Sequence, residues 1–238
     1  MAAEEIAYHA DGVEMRGLLV TPTGGGRGPA VLVAHEAPGL TDHCRGRAQR
    51  LADLGYVAFA LDAHGDAQVL GVDDARPRLI AWVADPTGLH ARMQAALEVL
   101  TGSEEVDPAR VAAVGHCFGA YAVLELARTG ADLAAVVGFH PGLPIARPDG
   151  ARRIKGKVLM CVGARDPLLP PDQRAAFEAE MTEAGVDWRL NLYGQAQHSF
   201  TNPDADAAGY PGLAYHAETD RRSWRAMLDL FAETIGVP

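Results

Sequence analysis

Cysteine is scarce in this chain: three residues in 238, Cys44, Cys117 and Cys161, with no C-x-x-C pair. That is too few for a disulfide framework and points to a reduced, cytoplasmic protein. Basic residues are outnumbered, 21 Lys and Arg against 31 Asp and Glu, for a formal net charge of −10. Nucleic acid and anionic membrane are therefore poor partners, because both need basic patches. An anionic small substrate stays open, since a few local arginines can overrule the global field. No apolar run reaches the ~18 residues that span a bilayer. The N-terminus, MAAEEIAYHADG, has no basic segment ahead of an apolar one, so no signal peptide is expected. Repeats and low-complexity tracts are also missing. The expectation is one domain over residues 1–238, within the ~200–250 residues common for single α/β domains.

What is present alternates. Short, nearly unbroken apolar runs occur at Ala30–Ala34, Tyr56–Leu61, Val111–Val114, Leu133–Phe139, Val158–Val162 and Trp188–Tyr193. Such runs suit strands buried on both faces of a parallel sheet. Between them lie stretches of helical spacing: His43–Gly55, capped by Thr41 or Asp42, then Leu89–Leu100, Pro171–Gly185 and Glu218–Ile235. Ahead of these, Met15–Val20 reads as an antiparallel strand paired near Ile6–His9. The Gly/Pro-rich segment at 22–29 reads as a surface turn. The expected class is α/β: a mostly parallel central sheet, helices on both faces and an N-terminal antiparallel hairpin. Sites in such sheets lie beyond the carboxyl ends of the strands.

Beyond Val111–Val114 comes Gly115-His116-Cys117-Phe118-Gly119, then the helical Ala120–Ala127. Strand, G-x-C-x-G, helix is a nucleophile elbow with Cys in place of Ser. Glycines on either side let the backbone crowd the turn. The helix N-terminus favours a thiolate, and the backbone N–H of Phe118 can meet an oxyanion. The plain alternative is a small buried Cys at a β–α turn.

Acid and base follow in chain order. Asp166 stands at the end of the run Val158–Val162, in Gly163-Ala164-Arg165-Asp166-Pro167. His198 lies in the loop after the last strand, in Gln197-His198-Ser199-Phe200. His198 can take the thiol proton, Asp166 can fix its tautomer, and Cys117 can form a thioester. Asp-Pro is also an ordinary turn opener, and the chain holds nine His.

Together these residues resemble the dienelactone hydrolase family of α/β-hydrolases, over nearly the whole chain. His35-Glu36, followed by Ala37-Pro38-Gly39-Leu40, strengthens the resemblance. It implies a Glu36 carboxylate near the nucleophile that assists thiol deprotonation, or else raises the thiol pKa until substrate arrives. It also implies Ala37 N–H as second oxyanion donor. The best-known members grip a substrate carboxylate with arginines, one of them shortly after the catalytic histidine. Here Ser199-Phe200-Thr201-Asn202-Pro203 holds no arginine. Arg76, Arg78 and Phe200 are the candidate substrate contacts. Leu61-Asp62-Ala63-His64-Gly65 is similar to a stretch of less characterised relatives.

The resemblance implies hydrolysis of a small-molecule ester or lactone, without a cofactor, by a monomer or small homo-oligomer. Alternatives are a broad-specificity carboxylesterase or thioesterase with the same residues, or a thiol sensor or binding protein on this scaffold. A zinc site is not expected, because His35-Glu36 and His64-x-Asp66 do not make H-E-x-x-H. Segments 66–87 and 199–215 are the candidate covers of a small pocket.

Overall fold

The structure, a computed structural model, describes residues 1–24, 26–143 and 147–238. The expected turn at 22–29 therefore falls partly outside the described residues, at Gly25. The chain opens with a hairpin. Strand β1 (Ala2–Ala10) pairs antiparallel with β2 (Val13–Thr21), Ile6 facing Gly17 and His9 facing Glu14. The linking Asp11-Gly12 has φ of 53° and 68°, as a two-residue turn with right-handed strand twist requires.

The remaining strands are β3 (Gly28–Ala34), β4 (Val57–Ala60), β5 (Val106–His116), β6 (Ala135–Phe139), β7 (Lys157–Gly163) and β8 (Trp188–Tyr193). They join the hairpin in one sheet of order β1-β2-β4-β3-β5-β6-β7-β8. β2 meets β4 antiparallel, and from β4 onward every pairing is parallel. The helices are α1 (Asp42–Asp53), α2 (Val72–Ala84), α3 (Thr87–Thr101), α4 (Phe118–Arg128), α5 (Pro148–Ala151), α6 (Pro171–Ala184) and α7 (Ala217–Thr234). This is the α/β-hydrolase topology, with its antiparallel hairpin at the N-terminus.

Two cores sandwich the sheet, which accounts for the unbroken apolar runs. Along β3, Ala30, Leu32 and Ala34 face one core with Met93 and Leu97 of α3, Val123 and Leu126 of α4, and Phe177 of α6. Val31 and Val33 face the other, with Leu51 of α1 and Trp224, Leu230 and Phe231 of α7. Gly185 ends α6 in the left-handed region at φ 74°. Thr41 occupies the N-cap of α1, but its side chain makes no capping bond.

Helix α2 was expected only as a cover. Pro77 lies inside it, and proline removes a helical donor, which masks the periodicity. Among the described residues, no helix is long and apolar enough to cross a membrane. β4 and β5 flank β3 on opposite sides, so the chain reverses its winding there. Ligand crevices of open α/β sheets form at such a point, beyond the carboxyl ends.

Candidate active site

Cys117 sits between the end of β5 and the start of α4 with φ 52° and ψ −115°. For a residue other than glycine such a conformation costs about 1–3 kcal/mol and persists only where its surroundings enforce it. Enforcement comes from Cys117 N–H donating to Phe139 O (3.0 Å) and Cys117 O accepting from Ala120 N–H (3.1 Å). Both elbow glycines are required by close approach. A Cβ on Gly115 would overlap the backbone of Gly119, and one on Gly119 would overlap the Ala34 carbonyl and stand 2.6 Å from that of His35. Gly119→Ala should therefore destabilise the protein by about 1–3 kcal/mol through forced backbone shifts. An unchanged melting temperature would show that the elbow tolerates the extra carbon.

Asp166 follows β7 and His198 follows β8. His198 Nδ1 lies 2.8 Å from Asp166 Oδ2, with both side chains buried. The other carboxylate oxygen, Oδ1, accepts from Leu168 N–H at 2.8 Å, which orients the acid. The histidine backbone is clamped as well: its N–H donates to Gly212 O and its O accepts from Ala214 N–H, both at 3.0 Å. Burial disfavours a charge on His198. The neighbouring Cys117 and the Asp166 carboxylate more than reverse this and raise the imidazolium to about 10. Imidazole and carboxylate are thus paired, Cys117 is among the groups that raise the ring, and His198 Nε2 is buried without a hydrogen-bond partner.

Glu36, past the end of β3, departs from the expectation. Its Oε2 accepts from Asn202 Nδ2 (2.6 Å) and lies 3.2 Å from His43 Nδ1, while Oε1 accepts from Ser199 Oγ (3.4 Å). Among the hydrogen bonds and ion pairs of the described residues, none joins Glu36 to Cys117. Burial opposes its charge, but His43 and Asn202 prevail and hold the carboxyl below its usual range. In this structure the carboxylate ties the loop carrying His198 to α1, rather than reaching the thiol.

The two oxyanion candidates are built differently. Phe118 opens α4, so its N–H has no carbonyl partner within the helix. Ala37 is held between two histidines, His35 and His64. His35 Nε2 accepts from Ala63 N–H (3.1 Å), which places the ring proton on Nδ1, 2.6 Å from Glu36 O. A planar trans peptide then directs Ala37 N–H the opposite way. His64 Nε2 donates to Ala37 O at 2.8 Å. Burial lowers both histidines, His64 to about 4, so both stay neutral near pH 7. The loop holding His64 is folded around Asp62, fully buried, whose carboxylate accepts from the N–H groups of Arg16, His64, Gly65 and Ala67 at 2.8–3.2 Å.

The substrate-contact candidates fare less well. Phe200 is fully buried in the core shared with α7, edge-on to His140 and beside Tyr193, and presents no surface to a ligand. Arg78 donates to the His64 carbonyl (2.9 Å), and Arg76 is exposed on α2. The aromatic wall of the site comes instead from Trp82 of α2, whose ring stacks on Phe118 (centroids 5.4 Å, 18°) and on His64 (5.7 Å, 14°).

Of the three free thiols, only Cys117 is partly exposed. Cys44 and Cys161 are buried, and burial raises both, Cys161 to about 12. Brief alkylation followed by peptide mass mapping should label Cys117 first. Prior labelling of Cys44 would show that α1 opens readily. Among the described residues, no group of three or more His, Cys, Asp or Glu is placed to hold a metal ion.

Comparison with known proteins agrees with this architecture. The model of the dienelactone hydrolase family matches residues 15–235. A solved structure named m3DLH is 46% identical, with a TM-score of 0.95 and 98% of each chain covered. A dienelactone hydrolase-like promiscuous phosphotriesterase, P91, from metagenomic libraries is 44% identical, with a TM-score of 0.95 and the same 98% coverage of both chains. A Bradyrhizobium protein named probable 2-oxo-3-(5-oxofuran-2-ylidene)propanoate lactonase is 28% identical over 87% of this chain and 89% of its own. The chain belongs to the dienelactone hydrolase family and is a carboxylic ester hydrolase.

Proposed function

We propose that the protein hydrolyses a small ester or lactone through a Cys117–His198–Asp166 triad and a thioester acyl-enzyme. The observation that carries this is a thiol in a strained elbow beside a histidine held by a carboxylate at 2.8 Å. The thiolate attacks the carbonyl carbon, and the N–H groups of Phe118 and Ala37 receive the oxyanion. Collapse expels the alcohol oxygen, which takes the His198 Nε2 proton. Acylation also removes the sulfur charge that supported the imidazolium. Burial, the largest influence on His198, then favours the neutral ring as it gives up its proton. Water attacks the thioester with His198 as base, and the acid and thiolate are regenerated.

The sign of the pH dependence follows. His198 is raised, so its charged state and the stability it lends are complete below its unfolded value near 6.5. The charge itself holds until pH climbs through about 10, and the stability declines progressively from 6.5 until it is gone there. Acylation rates should hold from neutral pH upward and fall near 10. A fall already between 7 and 8 in the pH profile of kcat/KM would contradict the ion-pair reading.

The preferred substrate is neutral. No arginine stands in Ser199–Pro203, directly after His198, and Arg78 is engaged by a backbone carbonyl. Losing a charge-assisted bond costs about 1.5–3 kcal/mol, or roughly ten- to over a hundredfold in affinity. The test compares a dienelactone carboxylate with its methyl ester, within a screen of p-nitrophenyl esters, thioesters and lactones. Strong preference for the free carboxylate would restore Arg76 or Arg78 as its grip. A second reading is broad specificity, favoured by the 44% identity to a protein named a promiscuous phosphotriesterase. The same thiolate and oxyanion donors suit attack at a phosphorus centre, so a phosphotriester belongs in the screen.

A further inference from the structure

His140 directly follows β6 beside the elbow and takes no part in the chemistry proposed above. It is fully buried, and its φ of 40° lies in the left-handed region that residues other than glycine rarely occupy. Its backbone N–H donates to Cys161 O at 2.8 Å, fixing it to β7. The ring lies edge-on to that of His198, centroids 5.2 Å apart at 68°, and Nε2 is 2.8 Å from Thr201 Oγ1. Thr201 follows His198 by three residues, on the same loop. Its carbonyl in turn accepts from Arg47 Nη2 of α1, whose guanidinium is paired with Asp220 of α7 at 3.0 Å. A strained, buried, polar residue thus touches the proposed base directly and again through its loop.

We propose that His140 is a positioning residue for His198, acting through ring contact and through its hydrogen bond to Thr201. Fixing the His198 ring against both Asp166 and Cys117 needs support beyond those two partners, and residues 194–205 hold no helix and no strand beyond a single bridge at His198 to supply it. Its surroundings suit a neutral support. The titratable and charged groups facing His140 are His198, His116 of β5, and His43 and Arg47 of α1. Burial first, and then these neighbours, push its proton affinity well down. A neutral ring adds no repulsion to the adjacent imidazolium.

The proposal rests on the triad reading, and its test separates the two. Thr201→Val keeps the shape and removes the hydroxyl, and Thr201→Ser restores it. His140→Phe keeps the ring and removes the hydrogen bond, and His140→Gln restores a polar group of similar reach. For each variant, kcat and KM are measured on the best p-nitrophenyl ester. The pH dependence of Cys117 alkylation by iodoacetamide is followed alongside thermal unfolding. Thr201→Val and His140→Phe should lower kcat about 10- to 100-fold, as small misplacements of catalytic groups do, with KM little changed. Their alkylation should set in only at higher pH than in the wild type, because a displaced His198 no longer supports the thiolate near neutral pH. Thr201→Ser and His140→Gln should recover most of both. Wild-type kcat and alkylation profiles in Thr201→Val and His140→Phe would overturn the assignment. So would losses that only track the unfolded fraction while the alkylation profile stays put. A wild type whose Cys117 shows no thiolate reactivity at neutral pH would overturn the triad reading, and the role of His140 with it.

Discussion

Cys117→Ala should lower kcat by roughly 10³- to 10⁶-fold on the best ester or lactone while leaving the protein folded. The loss is large because every step of the proposed reaction runs through the sulfur. It attacks, it is the acyl carrier, and its charge keeps His198 protonated for the leaving group. Stability should change by no more than about 1 kcal/mol, since the side chain is partly exposed and alanine keeps the Cβ and the elbow backbone. The His198 titration should also fall from its raised position, as one of its two anionic supports is gone. Near-wild-type turnover in the variant would remove the thiol from the mechanism.

Asp166→Asn should reduce kcat by about 10⁴-fold, with little effect on folding. Asp166 Oδ2 accepts from His198 Nδ1 at 2.8 Å, and this leaves Nε2 without a proton of its own in the neutral ring, free to accept one. An amide nitrogen in place of Oδ2 would donate to Nδ1 instead, and the ring proton would move to Nε2. The imidazole could then no longer accept the thiol proton. Leu168 N–H would still be met by the amide oxygen in place of Oδ1, so the loop should hold. Removing the negative charge also lowers His198, so the alkaline limit of activity should move down. A loss below about tenfold would assign Asp166 to the Asp-Pro turn rather than to the chemistry.

Much of the architecture was legible because its physics is local. Strands buried on both faces read as short apolar runs, and helices packed on a sheet show one apolar stripe. Trp188–Tyr193 matches β8 to the residue, and Gly185 closes α6 as expected. Helix α2 was missed because Pro77 breaks its pattern. The elbow was legible because two glycines at fixed spacing answer a crowding that only that turn produces. What escaped is the polar scaffold behind it. Arg47 looks like a solvated helix charge, yet only 6% of it is exposed and it bonds to Thr201, 154 residues away. His140 and Thr201 meet across 61 residues. His35, Asp62 and His64 are buried around one loop. Pairings of this kind carry no periodicity, so single polar residues in the sequence give no hint of their partners. Phe200 failed for the same reason in reverse: nearness to His198 in sequence said nothing of which way the ring would turn.

The covalent intermediate is the centre of the account. The direct measurement is acid quench of the enzyme during turnover of a p-nitrophenyl ester, followed by intact-protein and peptide mass analysis. The account predicts one added acyl group, carried by the peptide containing Cys117, absent from Cys117→Ala and accumulating in step with a burst of nitrophenol. Turnover without any adduct, or an adduct on Cys44, Ser199 or another residue, would contradict it.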